Sequence, residues 1–283
     1  KNANELTNED YILCRAQKNK NIKSYISDGI KFDEDLAYFL GFFIADGWID
    51  RSKRGYHRIA FGSKKIEILE HIKDILKDKF NQEENITKRN TGIYYLRINN
   101  YKLNSKLIDF FQIGDKYAHN IKIPSYVFVS SETVIYSFLS GFIDGDGHIH
   151  ANRNNLSIHS ISKQFIKKLQ VLLFSYGINS ITADSIVKPH KFRGRMIESD
   201  NLLYSLEIRS EDFLKISSKL KLYHPKKRNR LKPRDRRIIA SKYEEIPYLG
   251  SYIFKEFSEK HLGGGWYEDV NGNKIRIGIK YPD

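Results

Sequence analysis

A block of eight residues occurs twice in this chain, one hundred positions apart. Residues 40–47 read LGFFIADG and residues 140–147 read SGFIDGDG. In each block two small residues stand four positions apart, and the block ends in an aspartate followed by a glycine. Residues at i and i+4 share one helix face, so each block predicts a helix with a groove that lacks side chains.

The small residues predict that the two helices touch. Glycine inside a helix costs about 1 kcal/mol relative to alanine, so a compensating close contact is expected. Around a pseudo-twofold axis this contact would bring Asp46 and Asp146 together at the two helix ends. Carboxylates there repel each other and the helix dipoles, and a divalent cation such as Mg²⁺ removes both penalties. A single Asp-Gly is an ordinary turn after a helix, but two matched occurrences favour a metal site.

The surroundings of the two blocks also repeat. Helical and strand periodicities predict αββαββα from Asp35 to Phe111, with strands around WIDRS, YHRIAFG, ENITKR and IYYLRIN. The same order recurs from Glu132 to Leu220, with about ten extra residues within 188–200. The fold class is therefore predicted as α+β with two pseudo-symmetric repeats.

The predicted domain boundaries follow this repeat. Four parts are expected: an N-terminal extension or linker (1–34), a first repeat (35–128), a second repeat with a basic C-terminal segment (129–237), and an appended module (238–283). The module is predicted to contain a helix from Tyr243 to His261, a flexible triple glycine from Gly263, and a hairpin turning at Asn271-Gly272.

Charge indicates the partner. The net charge is +14 and the pI is near 9.5, which favours nucleic acid, although a generally lysine-rich proteome remains the alternative. Residues 221–237 contain nine Lys and Arg against one Asp. We interpret this run as a phosphate clamp rather than a solvated helix end, with Lys226, Lys227 and Arg228 as its candidate contacts.

Other classes of protein are disfavoured. No apolar run approaches the roughly 20 residues that span a bilayer, so an intracellular location is expected, cytoplasmic or nucleoid-associated, with an organelle left open. The single cysteine, Cys14, excludes an internal disulfide framework and a thiolate zinc site. The triple glycine lacks the Lys-Ser or Lys-Thr of a nucleotide-binding loop.

The motifs LAYFLGFFIADG and FLSGFIDGDG resemble those of LAGLIDADG homing endonucleases in their single-chain, two-motif form. The resemblance covers about residues 35–234. The segments IKIPSYVFVSSETVIYSFLSGFIDGDGHI and HPKKRNRL are similar to the endonuclease domains of inteins. The chain neither begins with the nucleophile of an intein nor ends in His-Asn, so no splicing module is expected.

The resemblance implies roles for individual residues. Asp46 and Asp146 would hold two or three Mg²⁺ ions, joined by the main-chain carbonyls of Ala45 and Gly145. The first acid of the motif is Asp144 in the second copy and Ile44 in the first, a position that is not a metal ligand in the family. Basic side chains near the scissile phosphates would be Lys64, Lys163 and Arg209, and Arg209 has Asn99 as its counterpart.

The resemblance also implies saddle-shaped antiparallel sheets that lie in the major groove of DNA. Side chains on alternate strand positions would read bases; the candidates are Arg51, Arg54, Arg58, Arg97, His150, Arg153, His159, Arg193 and Arg195. His148 and His150 could suggest zinc, but no third ligand is near in sequence, and we interpret them as groove-facing.

The implied function is a monomeric, magnesium-dependent homing endonuclease. It would make a double-strand break with short 3′ overhangs in a long, pseudo-palindromic DNA target. Two alternatives remain: a DNA-binding regulator or RNA maturase of the same fold that has lost cleavage, and a basic structural protein. Both motif aspartates are intact, which favours an enzyme.

Overall fold

The computed structural model describes residues 22–51, 57–113, 121–186, 190–192, 195–197, 202–234, 261–263, 266–268 and 274–276. The chain divides into two compact units, and Ala16–Ile238 carries both repeated blocks. Among the described residues, no helix is both long and apolar enough to cross a membrane.

The first repeat has the predicted order. A short hairpin, β1 (Ile26–Ser27) and β2 (Ile30–Lys31), precedes α1 (Glu34–Asp46). Helix α1 begins where the Asp33 side chain accepts a hydrogen bond from the Leu36 N–H at 3.2 Å. The following elements are β3 (Gly47–Arg51), β4 (His57–Ser63), α2 (Ile66–Phe80), β5 (Ile86–Lys88), β6 (Tyr94–Arg97) and α3 (Tyr101–Phe111).

The second repeat follows a 3-10 helix at Ser125–Val129. Its elements are α4 (Glu132–Asp146), β7 (His148–Ile149), β8 (Asn155–Ser160), α5 (Lys163–Phe174), β9 (Ile181–Ile186), β10 (His190–Phe192), β11 (Arg195–Ile197), β12 (Leu202–Arg209), α6 (Ser210–Ser217) and α7 (Pro225–Arg230). The extra residues of this copy contain the hairpin β10–β11. The predicted αββαββα repeat and the α+β class are confirmed.

Each repeat builds one four-stranded antiparallel sheet, with strand orders β3-β4-β6-β5 and β7-β8-β12-β9. In the first sheet Ala60 pairs with both Trp48 and Arg97. In the second sheet Ser157 pairs with both His148 and Glu207. The register therefore fixes which residues of the two copies are equivalent.

The two faces of each sheet differ in burial. The core buries Leu96 on β6, Ile98 directly after β6, and Leu206 and Ile208 on β12. Because side chains alternate along a strand, the residues between them lie on the opposite, open face. Arg97 and Glu207 are therefore open-face residues. The helices cover the apolar faces, and nine consecutive residues of α1 from Leu36 to Ile44 are buried.

The residues before α1 belong to this core. Ile30 and Phe32 are buried, and the ring of Tyr25 stacks on that of Tyr126 with centroids 4.1 Å apart. The core thus begins before residue 35, where the sequence predicted the first repeat to start.

The second unit combines Lys1–Arg15 with Ile239–Asp283. Its described residues form a three-stranded antiparallel sheet of β13 (His261–Gly263), β14 (Trp266–Glu268) and β15 (Lys274–Arg276). The predicted helix was wrong at its end, because His261 starts a strand. Its earlier residues and the turn at Asn271-Gly272 lie outside the described residues.

Candidate functional site

Helices α1 and α4 touch along their glycines. A Cβ atom added to Gly41 would overlap the carbonyl oxygen of Phe138 and lie 2.9 Å from the amide nitrogen of Phe142. A Cβ added to Gly141 would overlap the carbonyl oxygen of Tyr38 and lie 2.9 Å from the nitrogen of Phe42. The two contacts are exchanged by a pseudo-twofold axis, so the predicted helix pairing is confirmed.

The same contact brings the two C-terminal helix ends together. A Cβ added to Gly145 would overlap that of Ala45 and lie 3.3 Å from Oδ2 of Asp46. The carboxylate of Asp46 therefore lies against the last turn of α4, which ends at Asp146. Asp46 and Asp146 both act electrostatically on the ammonium group of Lys227.

Lys227 occupies the end of α4. Its Nζ donates to the carbonyl oxygens of Ile143 and Asp144, both at 2.8 Å, and of Gly145 at 2.7 Å. Burial lowers the pKa of Lys227, while the carboxylates of Asp144, Asp46 and Asp146 act in the opposite direction. Sequence reasoning placed Lys227 in a phosphate clamp and missed this position. Its neighbours Lys226 and Arg228 are exposed.

Asp144 fixes the segment that carries Lys227. Asp144 is only 2% exposed, and its carboxylate accepts hydrogen bonds from the Tyr38 hydroxyl at 2.6 Å and from the backbone N–H groups of Tyr223 at 2.7 Å and His224 at 3.1 Å. Burial raises the pKa of Asp144, although these hydrogen bonds oppose the rise. The first copy has the buried Ile44 at this position, so only the second motif has such an anchor.

An aromatic stack supports the same segment from α2. The His71 ring stacks on Tyr223 with centroids 3.7 Å apart and meets Tyr38 edge-on at 4.6 Å. Burial lowers the pKa of His71 to about 4, so its imidazole is neutral at pH 7. The segment before α7 is thus held by both repeats.

A cleft of about 270 Å³ adjoins the helix ends and is lined by Asp46, Gly62, Ser63, Lys64, Lys65, Ile93, Asp144, Gly145, His224 and Lys227. Lys64 and Asp46 therefore face one space. Ser63 and Ser160 are equivalent, because each accepts a hydrogen bond from the backbone N–H two residues later. Lys64 thus aligns with Ile161 rather than with Lys163.

The other predicted basic residues lie farther along the repeats. Lys163 is the first residue of α5, and its Nζ lies 5.7 Å from the ring centroid of Tyr204. Arg209 ends β12, where its Nε donates to Glu207 at 2.6 Å. That Lys163 and Arg209 contact phosphates stays a prediction.

The base-reading candidates divide into three groups. Arg58, Arg97 and His159 alternate with buried strand residues and lie on the open faces of the sheets. Arg51 ends β3, whereas His150 and Arg153 lie in the connection between β7 and β8, where the ring Nδ1 of His150 accepts from the Asn152 N–H at 3.0 Å. Arg195 begins β11, whereas Arg54 and Arg193 lie outside the described residues.

The donor set at the helix ends fits a hard divalent cation. Among the described residues, no group of three or more His, Cys, Asp or Glu could hold a metal ion. The candidate donors at the helix ends are the carboxylates of Asp46 and Asp146 with backbone carbonyls. Such oxygen donors suit Mg²⁺ or Ca²⁺ rather than zinc. The ammonium group of Lys227 on three carbonyls shows that this end of α4 attracts positive charge.

Comparison with known protein families finds one family model that matches this chain in two segments. The profile described as the LAGLIDADG-like domain matches residues 33–107 and 133–221, more than half of the chain. Each matched segment contains one motif helix and one four-stranded sheet. Among solved structures, the homing endonuclease I-DmoI in complex with DNA and Ca is 19% identical, with a TM-score of 0.47, and the match covers 66% of this chain and 88% of that one.

Two curated relatives come from Methanocaldococcus jannaschii. Its glutamine–fructose-6-phosphate aminotransferase is 32% identical over 150 residues, which cover 51% of this chain and 13% of that protein. Its probable translation initiation factor IF-2 is 27% identical over 145 residues, which cover 51% of this chain and 12% of that protein. The chain therefore matches only a small part of each relative.

Proposed function

The chain belongs to the LAGLIDADG-like domain family, and we propose from this premise that it is a site-specific homing endonuclease that cuts double-stranded DNA with the help of divalent cations. One observation carries the proposal: the glycine contact between α1 and α4 brings Asp46 against Gly145 at the end of the helix that finishes with Asp146. Paired acids at such a place serve metal-assisted hydrolysis better than fold stability.

The residues would act as follows. Asp46 and Asp146 would hold the cations, Mg²⁺ being the proposed ion, and the main-chain carbonyls of Ala45 and Gly145 would join them. A bound divalent cation lowers the pKa of water and offsets charge on phosphate oxygens. Lys227 would hold a positive charge beside the reacting phosphate, and Lys64 would bind a phosphate within the cleft. Asp144 and Tyr38 would keep Lys227 in place.

The two sheets would bind the DNA. A sheet with polar and basic side chains on its open face can enter the major groove, where each base pair presents its own donors and acceptors. Since one chain carries both repeats, it would act as a monomer. The target would be long and only approximately palindromic, because the two open faces differ in sequence. The two strands would be cut at staggered positions that leave short 3′ overhangs.

The curated relatives support the proposal that this chain is a mobile segment that inserts into host proteins inside the cell. The aminotransferase and the translation factor differ in their named activities, yet each matches this chain over about 150 residues. A segment inserted into unrelated host proteins would produce this pattern, as the similarity to intein endonuclease domains implies. Such hosts would also place the protein inside the cell.

Cleavage of a randomised plasmid library tests the proposal. The protein would be incubated with Mg²⁺ and the cut ends sequenced, and the expected result is one long consensus with short 3′ overhangs. DNA binding without any cut ends in Mg²⁺ or Mn²⁺ would instead favour a regulator or maturase of this fold.

Replacing Lys227 with methionine should lower the single-turnover cleavage rate and leave DNA affinity nearly unchanged. Methionine keeps much of the side-chain volume but loses the ammonium group that meets three carbonyls. Loss of one such charge-stabilising donor costs roughly 100- to 1000-fold in rate. Lys226→Met is the matched control, because Lys226 is the exposed neighbour. Equal rates in both variants would contradict the role of Lys227.

DNA affinity should fall steeply with salt. Each neutralised phosphate contributes about −0.9 to the slope of log K against log salt. With a net charge of +14 we expect a slope on the order of −5 or steeper in a fluorescence-anisotropy titration. A slope near zero would remove nucleic acid as the partner.

A further inference from the structure

The two sheets carry opposite charges at one equivalent position of their open faces. Arg97 pairs with Ala60, which also pairs with Trp48. Glu207 pairs with Ser157, which also pairs with His148. Arg97 and Glu207 therefore occupy the same place in the two copies, on the inner strands β6 and β12. The residues directly before and after each of the two are buried, so both side chains lie on the open face.

Arg97 is held in one orientation by its neighbours. Its Nε donates to Oδ2 of Asp50 at 2.9 Å, and Oδ1 of Asp50 accepts from the indole N–H of Trp48 at 2.7 Å. Asp50 lies on β3 and Arg97 on β6, and the small Ala60 of the strand between them lets the two meet. The side chain of Arg97 is still 33% exposed. A bond through Nε fixes the guanidinium plane and leaves the Nη1–Nη2 edge for a pair of acceptors.

Glu207 is held in a corresponding way with reversed charge. The Nε and Nη2 atoms of Arg209 both donate to Oε2 of Glu207, and the Asn155 amide donates to the same oxygen at 3.5 Å. Within the part of the chain that the structure describes, these contacts converge on one carboxylate oxygen, so Oε1 is the oxygen that Glu207 can offer to a donor outside the protein. The Glu207 side chain is 28% exposed.

We propose that Arg97 reads a guanine in the half-site under the first repeat, and that Glu207 reads a cytosine at the pseudo-symmetric position of the other half-site. Asp50 and Arg209 act as positioning residues. This inference rests on the proposed DNA-binding function. Guanine presents the acceptors N7 and O6 to the major groove, which match the guanidinium edge, whereas cytosine presents the N4 donor, which matches a carboxylate. The target palindrome is therefore broken at this pair of positions.

A binding selection in Ca²⁺ tests the inference separately from cleavage. Wild-type protein, Arg97→Lys and Glu207→Gln would each select from a library randomised at every target position. Glu207→Gln should lose the cytosine preference at one position of one half-site and gain adenine, which a glutamine amide recognises. Arg97→Lys should weaken the guanine preference at the pseudo-symmetric position of the other half-site. A good base contact corresponds to about 5- to 150-fold discrimination.

Control variants distinguish a failure of the base-reading roles from a failure of the proposed function. Glu211→Gln makes the same chemical change at an exposed position on α6 and should leave every base preference unchanged. Asp50→Ala should weaken the same guanine preference as Arg97→Lys, while thermal melting shows that the variant is folded. A uniform change of affinity with unchanged preferences would overturn the base-reading roles alone. Failure of wild-type protein to select any sequence would overturn the proposed function and the inference with it.

Discussion

Asparagine in place of either Asp46 or Asp146 is expected to abolish DNA cleavage while DNA binding survives. Asparagine keeps the size of aspartate and one oxygen but removes the charge that would hold a divalent cation. Metal ions contribute several kcal/mol of transition-state stabilisation, so the rate should fall on the order of 1000-fold or more. The measurement is single-turnover cleavage in Mg²⁺, paired with affinity in Ca²⁺.

The control for this experiment is Asp78→Asn. Asp78 is an exposed acid on α2. Its replacement changes the net charge by the same amount as the other two variants but leaves the C-terminal ends of α1 and α4 unchanged. Both helix-end variants should behave alike, because the glycine contact relates Asp46 and Asp146 by a pseudo-twofold axis. Full activity in either variant would refute the assignment of paired metal ligands.

The repeat and its helix contact could be predicted because their signals are local. Small residues four positions apart define one helix face, and strand alternation defines which side chains enter the core. The i and i+4 spacing of Gly41 and Ala45 requires no knowledge of distant segments. The sequence therefore predicted both the α+β fold and the meeting of α1 with α4.

The place of Lys227 could not be predicted because it depends on a distant contact. Asp144 holds the backbone of residues 223 and 224, about 80 positions later in the chain, and that anchor carries Lys227 to the end of α4. Within a run of nine basic residues no local pattern distinguishes one lysine from the next. That Lys64 and Lys163 do not align could likewise not be predicted, because the strand register decides it and the sequence offset did not supply that register.

The opposite charges of Arg97 and Glu207 could be predicted from the sequence only in part. The segments LRIN and LEIR are visible as counterparts in the sequence, and alternation places both charges opposite the core. What holds each charge is not visible, because Asp50 reaches Arg97 across β4 and Arg209 folds back on its own strand. Sequence alone therefore marks Arg97 as one basic residue among many.

Alanine in place of Gly41 or Gly141 is expected to destabilise the protein, against the usual effect of this change. In an isolated helix the substitution would gain about 1 kcal/mol. Here the new methyl group would overlap a backbone carbonyl oxygen of the partner helix, and no side-chain rotation can relieve that overlap. Overpacking of this kind costs about 3 kcal/mol. With the helix gain subtracted, the net loss is about 2 kcal/mol. For a domain of this size the melting temperature should then fall by roughly 4–8 °C, measured by circular dichroism.

The double variant and a matched control decide whether the helix contact is the cause. Once the helices have separated to admit one methyl group, the second costs less, so Gly41→Ala with Gly141→Ala should destabilise by less than the sum of the single changes. Gly62→Ala adds the same methyl group where it would lie 3.4 Å from the Trp48 ring, an ordinary contact, and should have little effect. Single variants as stable as wild type would show that α1 and α4 do not need this close approach, and the shared site of Asp46 and Asp146 would lose its structural basis.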